Sequence, residues 1–331
     1  MTEEMDAVYT WVDGRGAGFQ ASYRRYADPA EAMRANRYRD NGELRCSLRS
    51  LLRHAPWVRR VHILTNGTMP RWLDGSHPRI HAVTHAEVFP DPDCLPCFNS
   101  HAIEMCLHRI PGLTRRFLYF NDDMFLRRDV QLRDFLTPEG GQYFFVDNFR
   151  LHPFEDHGAA RDRACAYTQR LLNERWGTPA SPRLLPSHVP HLYDREILRL
   201  LEREFAPEFR ETAGHRFRAA TDVAIDVLYG YALLESPVLR GPHRLCLLPD
   251  RSPQYRFSMI EKRYLRTFHH YARILWERPR FLCINDDLDG VPDYHPLVLS
   301  LRAFLRVCSL RRAPWERSAM RQTFSPHRPS Q

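Results

Sequence analysis

Four short runs of apolar, β-prone residues in this chain end in the same way. DAVYTWVDG (6–14) runs into Asp13 and Gly14, and VRRVHILTNG (58–67) carries Val61, Ile63 and Leu64 into Asn66 and Gly67. RFLYFNDDMFLRRD (116–129) takes Phe117, Leu118, Tyr119 and Phe120 into Asn121, Asp122 and Asp123. RFLCINDDLDG (280–290) takes Phe281, Leu282, Cys283 and Ile284 into Asn285, Asp286 and Asp287. Runs that are continuous rather than alternating predict strands buried on both faces, here with their carboxyl ends facing a site. Between them lie helical patterns. ELRCSLRSLLR (43–53) puts Leu44, Leu48, Leu51 and Leu52 on one face, and SHAIEMCLHRI (100–110) follows a good N-cap, Asn99 or Ser100. Strands alternating with helices of this length predict a doubly wound, Rossmann-like, mostly parallel α/β sheet, in which ligands bind outside the carboxyl ends of the strands.

The texture changes between about 150 and 250, where prolines crowd LHPF, GTPASPRLLPSHVPH and LRGPHRLCLLPD. DREILRLLEREFAPEF and ATDVAIDVLYGYALLE read as helices, the second mostly buried. The expected organisation is therefore an α/β core over 1–150 and a mainly helical insertion over 151–250. A return to the core with the last strand over 251–310 and a frayed, basic tail over 311–331 complete it.

Composition narrows the picture. The chain has 331 residues, 43% of them hydrophobic, enough for one large domain or a domain with an insertion. A net charge of +8 favours an anionic partner. That charge is almost all arginine, as codon usage in a GC-rich genome would produce, and it is spread through every segment without a basic arm. Nucleic-acid binding is therefore not expected. MTEEMDAVYTWVDG lacks the features of a signal peptide and no run is long enough to span a membrane. The expected location is cytoplasmic, with peripheral association at the inner membrane face compatible with the charge.

Several motifs carry candidate chemistry. Two adjacent carboxylates behind a strand as apolar as 117–120 are costly unless a cation or a working role offsets the cost. NDD at 121–123 fits a turn with a helix N-cap, and equally a divalent-metal site gripping a diphosphate; the residues alone leave both open. NDDLDG at 285–290 matches the start of an EF-hand loop, but its twelfth position is Pro296 instead of the required Glu. A second acidic site at a strand end fits better. PSHVPHLYDRE offers His188 and His191, and GHRFRAATD offers His215, Arg216, Arg218 and Asp222, where an arginine would either clamp a phosphate or pair with local acids. GRGAG (14–18) does not complete a dinucleotide fingerprint because residue 19 is Phe, and no P-loop exists. Cys94 and Cys97 have CxxC spacing without a second pair, which does not make a zinc site.

Assembled, these strings resemble the Stealth family of sugar-1-phosphate transferases. Four blocks carry the resemblance: DAVYTWVDG; RYRDNGELRCSLRSLLRHAPWVRRVHILTNG through RFLYFNDDMFL; SHVPHLYDRE with FAPEFRETAGHRFRAATDV; and FLCINDDLD. The chain departs from the pattern at Arg15, Gly16 and Ala17, where many relatives carry Ser-Asp-Pro. The resemblance implies a GT-A-like form of the α/β sheet and transfer of a whole sugar-1-phosphate from a UDP-sugar donor to a hydroxyl of a polysaccharide or oligosaccharide acceptor. UMP leaves, and the product is a capsule or other surface glycan. It further implies Mg2+ (or Mn2+) on Asp122, Asp123 and Asp286. Asp122, Asp123, His188, Arg218 and Asp286 are then catalytic. Trp11, Asp13 and Gly14 form the nucleotide pocket, with Arg45, Arg49, Asn66, Asn99 and Ser100 as further contacts. Two rivals are a metal-dependent glycosyltransferase that releases UDP and a non-catalytic glycan-binding protein on a decayed scaffold.

Overall fold

A computed structural model describes residues 4–28, 33, 35–151 and 158–317. Among the described residues, eleven strands form three sheets. The main sheet has the order β3-β2-β1-β4-β8, made from β1 (Asp6–Thr10), β2 (Val61–Thr65), β3 (Ile80–Thr84), β4 (Arg116–Asn121) and β8 (His191–Asp194). β1, β2, β3 and β4 run parallel, while β8 is antiparallel to β4. The chain steps outward from β1 to β2 and β3, then returns to place β4 on the other side of β1. The topological switch point therefore lies between β1 and β4, where such sheets bind ligands.

A second sheet, β10-β11-β5, contains β5 (Met124–Leu126), β10 (Tyr255–Ile260) and β11 (Phe281–Asp286), with β10 parallel and β5 antiparallel to β11. The third, β7-β6-β9, contains β6 (Tyr143–Arg150), β7 (Leu184–Pro186) and β9 (Arg244–Leu247). Helices α1 (Ala17–Tyr26), α2 (Glu43–His54), α3 (His85–Val88) and α4 (Ser100–Met105) belong to the first half of the chain. α5 (Ala160–Trp176), α6 (Arg195–Glu204), α7 (Ala206–Gly214) and α8 (Ile225–Glu235) cluster in the middle, and α9 (Tyr264–Glu277) and α10 (Pro296–Cys308) follow.

The sheet faces are covered by two large apolar clusters. One joins Val8, Leu64, Phe117 and Tyr119 to the middle helices through Leu198, Leu201 and Leu228; the other joins Ala7, Ile63, Leu118 and Phe120 to Leu44, Leu48 and Leu51 of α2. Alternate residues of β4 thus serve opposite faces, which is why its apolar run is unbroken.

Three expectations change. The last strand, β11, does not rejoin the main sheet; it pairs with β10 and β5. The strand that does join, β8, comes from the segment expected to be helical, because four buried residues, HLYD, complete the edge of β4. Residues 311–317 are packed rather than frayed: Trp315 is fully buried and Glu316 bridges to Leu73. The rest of the expected tail, 318–331, and residues 152–157, which include part of LHPF, lie outside the described residues.

Candidate functional site

The NDD turn is where the chain changes sheets. β4 ends at Asn121 in the main sheet, Asp122 and Asp123 make the turn, and β5 starts the second sheet at Met124. The Asp123 carbonyl accepts from Ile284 N at 3.1 Å, which ties the turn to β11. The Asn121 side chain is held at the switch point by the Tyr119 hydroxyl (2.6 Å) and the Thr10 hydroxyl (3.4 Å). The acids therefore face a cleft of about 500 Å³ that opens above β1 and β4.

Asp123 is well provided for. His188 Nε2 lies 3.2 Å from its Oδ1, and Cys283 Sγ and Asn285 Nδ2 lie 3.3 Å from its Oδ2. Burial alone would raise its pKa, but the charge and hydrogen bond of His188, with those two donors, hold it below the usual carboxylate range. Asp122 is the opposite case. Burial, then the charges of Asp123, Glu43 and Asp40, push its carboxyl well above that range. Glu43 is pushed up to about 8 by burial and by Asp40, against two hydrogen bonds from Asn41.

Facing these acids are four arginines, Arg37, Arg39, Arg161 and Arg218. Arg161 is paired with Asp226 at 2.5 Å, and Arg39 with Asp286 at 3.2 Å. Among the described residues Arg37 and Arg218 have no carboxylate partner; Arg218 donates to Ser100 Oγ at 2.7 Å, and burial lowers its pKa. Glu104 also lines the cleft, its carboxyl pushed up to about 7 by burial and Asp226 against Arg161, Arg218 and His188. Trp11, Phe19, Tyr38 and Phe98 supply an aromatic wall.

The expected site residues fall into three groups. Asp122, Asp123, His188, Arg218, Asp286, Trp11 and Ser100 line the cleft together. Asn99 and Gly14 act from behind it. Asn99 caps α4 by accepting from His101 N, and its Nδ2 donates to Asp222, which also takes His101 and His215; this fixes the loop that carries Arg218. A Cβ on Gly14 would overlap the backbone and Cβ of Tyr38, so glycine is required for that close approach. Asp13, Asn66, Arg45 and Arg49 do not line the cleft. Asp13 accepts from Arg15 N in the loop after β1, and Asn66 is exposed beyond β2, one strand away from the switch point.

Arg45 and Arg49 sit 200–240° round α2 from Glu43 at 100° per residue, which turns them away from the cleft. Arg49 forks onto Glu316 at 2.5 and 2.6 Å and bonds the Ser309 carbonyl, while Arg45 lies over the Trp72 ring. The contact roles suggested for both are replaced by structural ones.

Asp286 also changes role. Its Oδ2 accepts from Arg39 and Asn41 and its Oδ1 from Leu288 N, so a guanidinium already neutralises it, which argues against its place as a metal ligand; the imidazole, thiol and amide on Asp123 carry no such fixed charge. His191 is buried in β8 with its pKa down at about 4 by burial, not in the cleft. Arg216 bonds the carbonyls of Asp93 and Leu95.

The remaining acids still suit a divalent cation. Asp122 is a half-buried, desolvated acid beside three other carboxylates and has no cationic partner among the described residues; a cation there would restore its charge. Among the described residues, the group of side chains able to converge on one ion is Asp123, His188 and Cys283, with ligand atoms within 4.8 Å of one another. Burial and Asp123 hold the Cys283 thiol well above its ordinary pKa, so it acts as a donor to Asp123. Asp122 and Asp123 are then the residues that would hold a hard cation.

This is an α/β protein whose cleft sets an acidic turn against a group of arginines. The family models for Stealth protein CR2, conserved region 2, and CR3, conserved region 3, match residues 37–144 and 187–232. Residues 37–144 bring Arg37, Arg39, Asp122 and Asp123 to the cleft, and 187–232 bring His188 and Arg218. The chain belongs to the Stealth family.

Curated relatives include exopolysaccharide phosphotransferase SCO6023 of Streptomyces coelicolor, 37% identical over 95% of this chain and 52% of that protein. Exopolysaccharide phosphotransferase CpsY of Mycobacterium tuberculosis is 33% identical over 96% of this chain and 58% of its own length. The chain thus spans about half the length of these relatives. Among solved structures it is similar to galactosyltransferase LgtC, at 13% identity and a TM-score of 0.43 over 92% of this chain and 95% of that one. It is also similar to the bifunctional glycosyltransferase WbbM, at 12% and 0.45 over 96% and 51%. Likeness at that level carries no argument about the site.

Proposed function

We propose that this chain transfers a hexose- or N-acetylhexosamine-1-phosphate from a UDP-sugar to a glycan hydroxyl in exopolysaccharide synthesis. The observation that carries the proposal is a half-buried acidic turn and two arginines that have no carboxylate partner among the described residues, in one cleft at the switch point of the main sheet. A nucleoside-diphosphate sugar needs both charges: cation-binding acids at one side of its diphosphate and fork-shaped donors at the other.

In this reading the acceptor oxygen attacks the β-phosphorus, the new P–O bond forms, and the anhydride bond to the α-phosphate breaks with its electron pair, releasing UMP. Asp123 holds His188 in the cleft, where the imidazole takes the acceptor proton. Asp122 and Asp123 would hold Mg2+ or Mn2+, which when bound neutralises diphosphate charge. Arg218, oriented by Ser100, and Arg37 receive the phosphoryl oxygens, while the aromatic wall packs against the base or sugar. The test is nucleotide analysis with purified protein, a divalent cation, UDP-N-acetylglucosamine and an oligosaccharide acceptor panel. UMP is the expected product; UDP would make the protein a glycosyltransferase.

A further inference from the structure

A third of the large apolar side chains exposed among the described residues project from one helix, α9: Tyr264, Leu265, Phe268, Leu275 and Trp276. Leu265 and Trp276 are each 89% exposed, which no ordinary folding role explains. At 100° per residue these five fall on one arc about 120° wide, and Thr267, His270, Tyr271 and Ile274 form the buried face. Arg266, His269 and Arg273 border the apolar arc on one side, and Lys262 and Arg263 precede the helix.

Charge decides what covers this face. Between 261 and 280 there are six lysines and arginines and two acids, Glu261 and Glu277. Both acids are already engaged, Glu261 by Arg266 at 3.1 Å and Glu277 by Arg256 and Arg273. The uncompensated sign is positive, so a second copy of the same face would be repelled. An apolar stripe with Trp, Tyr and Phe along it and cations at its border suits the interface of an anionic bilayer. The rings sit at headgroup depth there and the cations meet lipid phosphates.

We propose that α9 is a docking face for an anionic lipid bilayer, with the helix lying in the interface plane. The inference does not depend on the reaction proposed above. Its placement is compatible with an open cleft: Ile260, where the chain leaves β10, is level with Asp286, and α9 starts four residues later.

The experiment is co-sedimentation of the full chain with phosphatidylcholine vesicles, with and without phosphatidylglycerol, at low and high salt. Wild type is expected to sediment with the anionic vesicles at low salt and to stay in solution with neutral ones. K262E/R263E and L265S/W276S, all at the helix surface or just before it, should each lower partitioning at least about tenfold while keeping the wild-type Tm. A vesicle-induced blue shift in tryptophan emission should be lost in W276F. Equal sedimentation of wild type and variants, equal binding to neutral vesicles, or no binding to anionic ones would overturn the proposal. So would a wild-type dimer that L265S/W276S makes monomeric, which would assign the face to a second copy.

Discussion

Arg218→Ala should remove function while leaving stability almost untouched. The guanidinium is held among Arg37, Arg161 and the aromatic wall, donates to Ser100 Oγ at 2.7 Å, and has no carboxylate partner among the described residues. In the free protein it is a desolvated cation beside like charges. Removing it gives up one hydrogen bond, worth about 1 kcal/mol, and relieves a desolvation cost of similar or greater size. For a chain of this size each kcal/mol moves Tm by roughly 2 °C, so Tm should stay within about 2 °C of wild type or rise.

Catalysis has no such compensation. Loss of a donor aimed at developing phosphoryl charge costs about 2.7–4 kcal/mol, a 10²- to 10³-fold fall in kcat. Arg218→Lys keeps the charge but loses the fork and should fall about tenfold. The assay pairs steady-state nucleotide release with differential scanning calorimetry. A variant that loses several degrees of Tm, or keeps more than a third of wild-type kcat, would refute the reasoning.

Four further outcomes follow from the same contacts. Arg49→Met should leave Glu316, whose side chain is 3% exposed, with only Arg45 at 3.6 Å and the Ala313 amide as partners. The cost is about 1.5–3 kcal/mol of stability by chemical denaturation, with specific activity per folded molecule unchanged. Gly14→Ala should push the 35–38 segment away from β1 and lower kcat/KM with a loss of about 1–3 kcal/mol, since the added carbon meets the backbone of Tyr38. EDTA should abolish turnover and Mg2+ restore it, and Asp122→Asn should be inactive with an equal or higher Tm, because the desolvated acid has no cationic partner among the described residues.

Asp6 provides the pH test. Despite its burial, His62 and Arg59 hold it well below its ordinary value of 3.8. A depressed folded-state pKa means that the unfolded chain binds the proton first on acidification. The pair's stabilisation is therefore complete above about pH 4–5 and is lost as pH falls below that. Asp6→Asn should flatten the acid limb of a Tm-against-pH curve, and an unchanged slope would show that Asp6 is not the group responsible.

The parts of this protein that were legible in its sequence are those encoded locally. An unbroken apolar run followed by Asn-Asp-Asp marks both the buried strand β4 and the turn at its carboxyl end. The leucine spacing at 44, 48 and 51 marks the buried face of α2, and the Asn99 cap marks the start of α4. What was not legible depends on pairings far apart in the chain. Nothing local says that β11 will pair with β5, which starts just past the NDD turn, or that the four residues of β8 will complete the main sheet.

The arginines show the same limit. Arg45 and Arg49 look like cleft residues until the helix phase turns them toward Glu316. Arg161 had no signal at all, since it reaches the cleft from the first turn of α5, well away from every acidic motif. Arg37 and Arg39 lie within RYRDNGELRC and were readable in principle. They are two apart on the segment that Arg39 stitches to β11 through Asp286 and the carbonyls of Leu288 and Val291.

The central claim is that the bond broken lies between the two phosphorus centres of the donor, and the fate of the β-phosphate tests it most directly. A UDP-sugar carrying ³²P at the β position would be incubated with the protein, Mg2+ and an acceptor glycan, and nucleotide and glycan separated. The account predicts that the label moves to the glycan in a phosphodiester while unlabelled UMP is released. Label retained in released UDP, with sugar alone on the glycan, would contradict it.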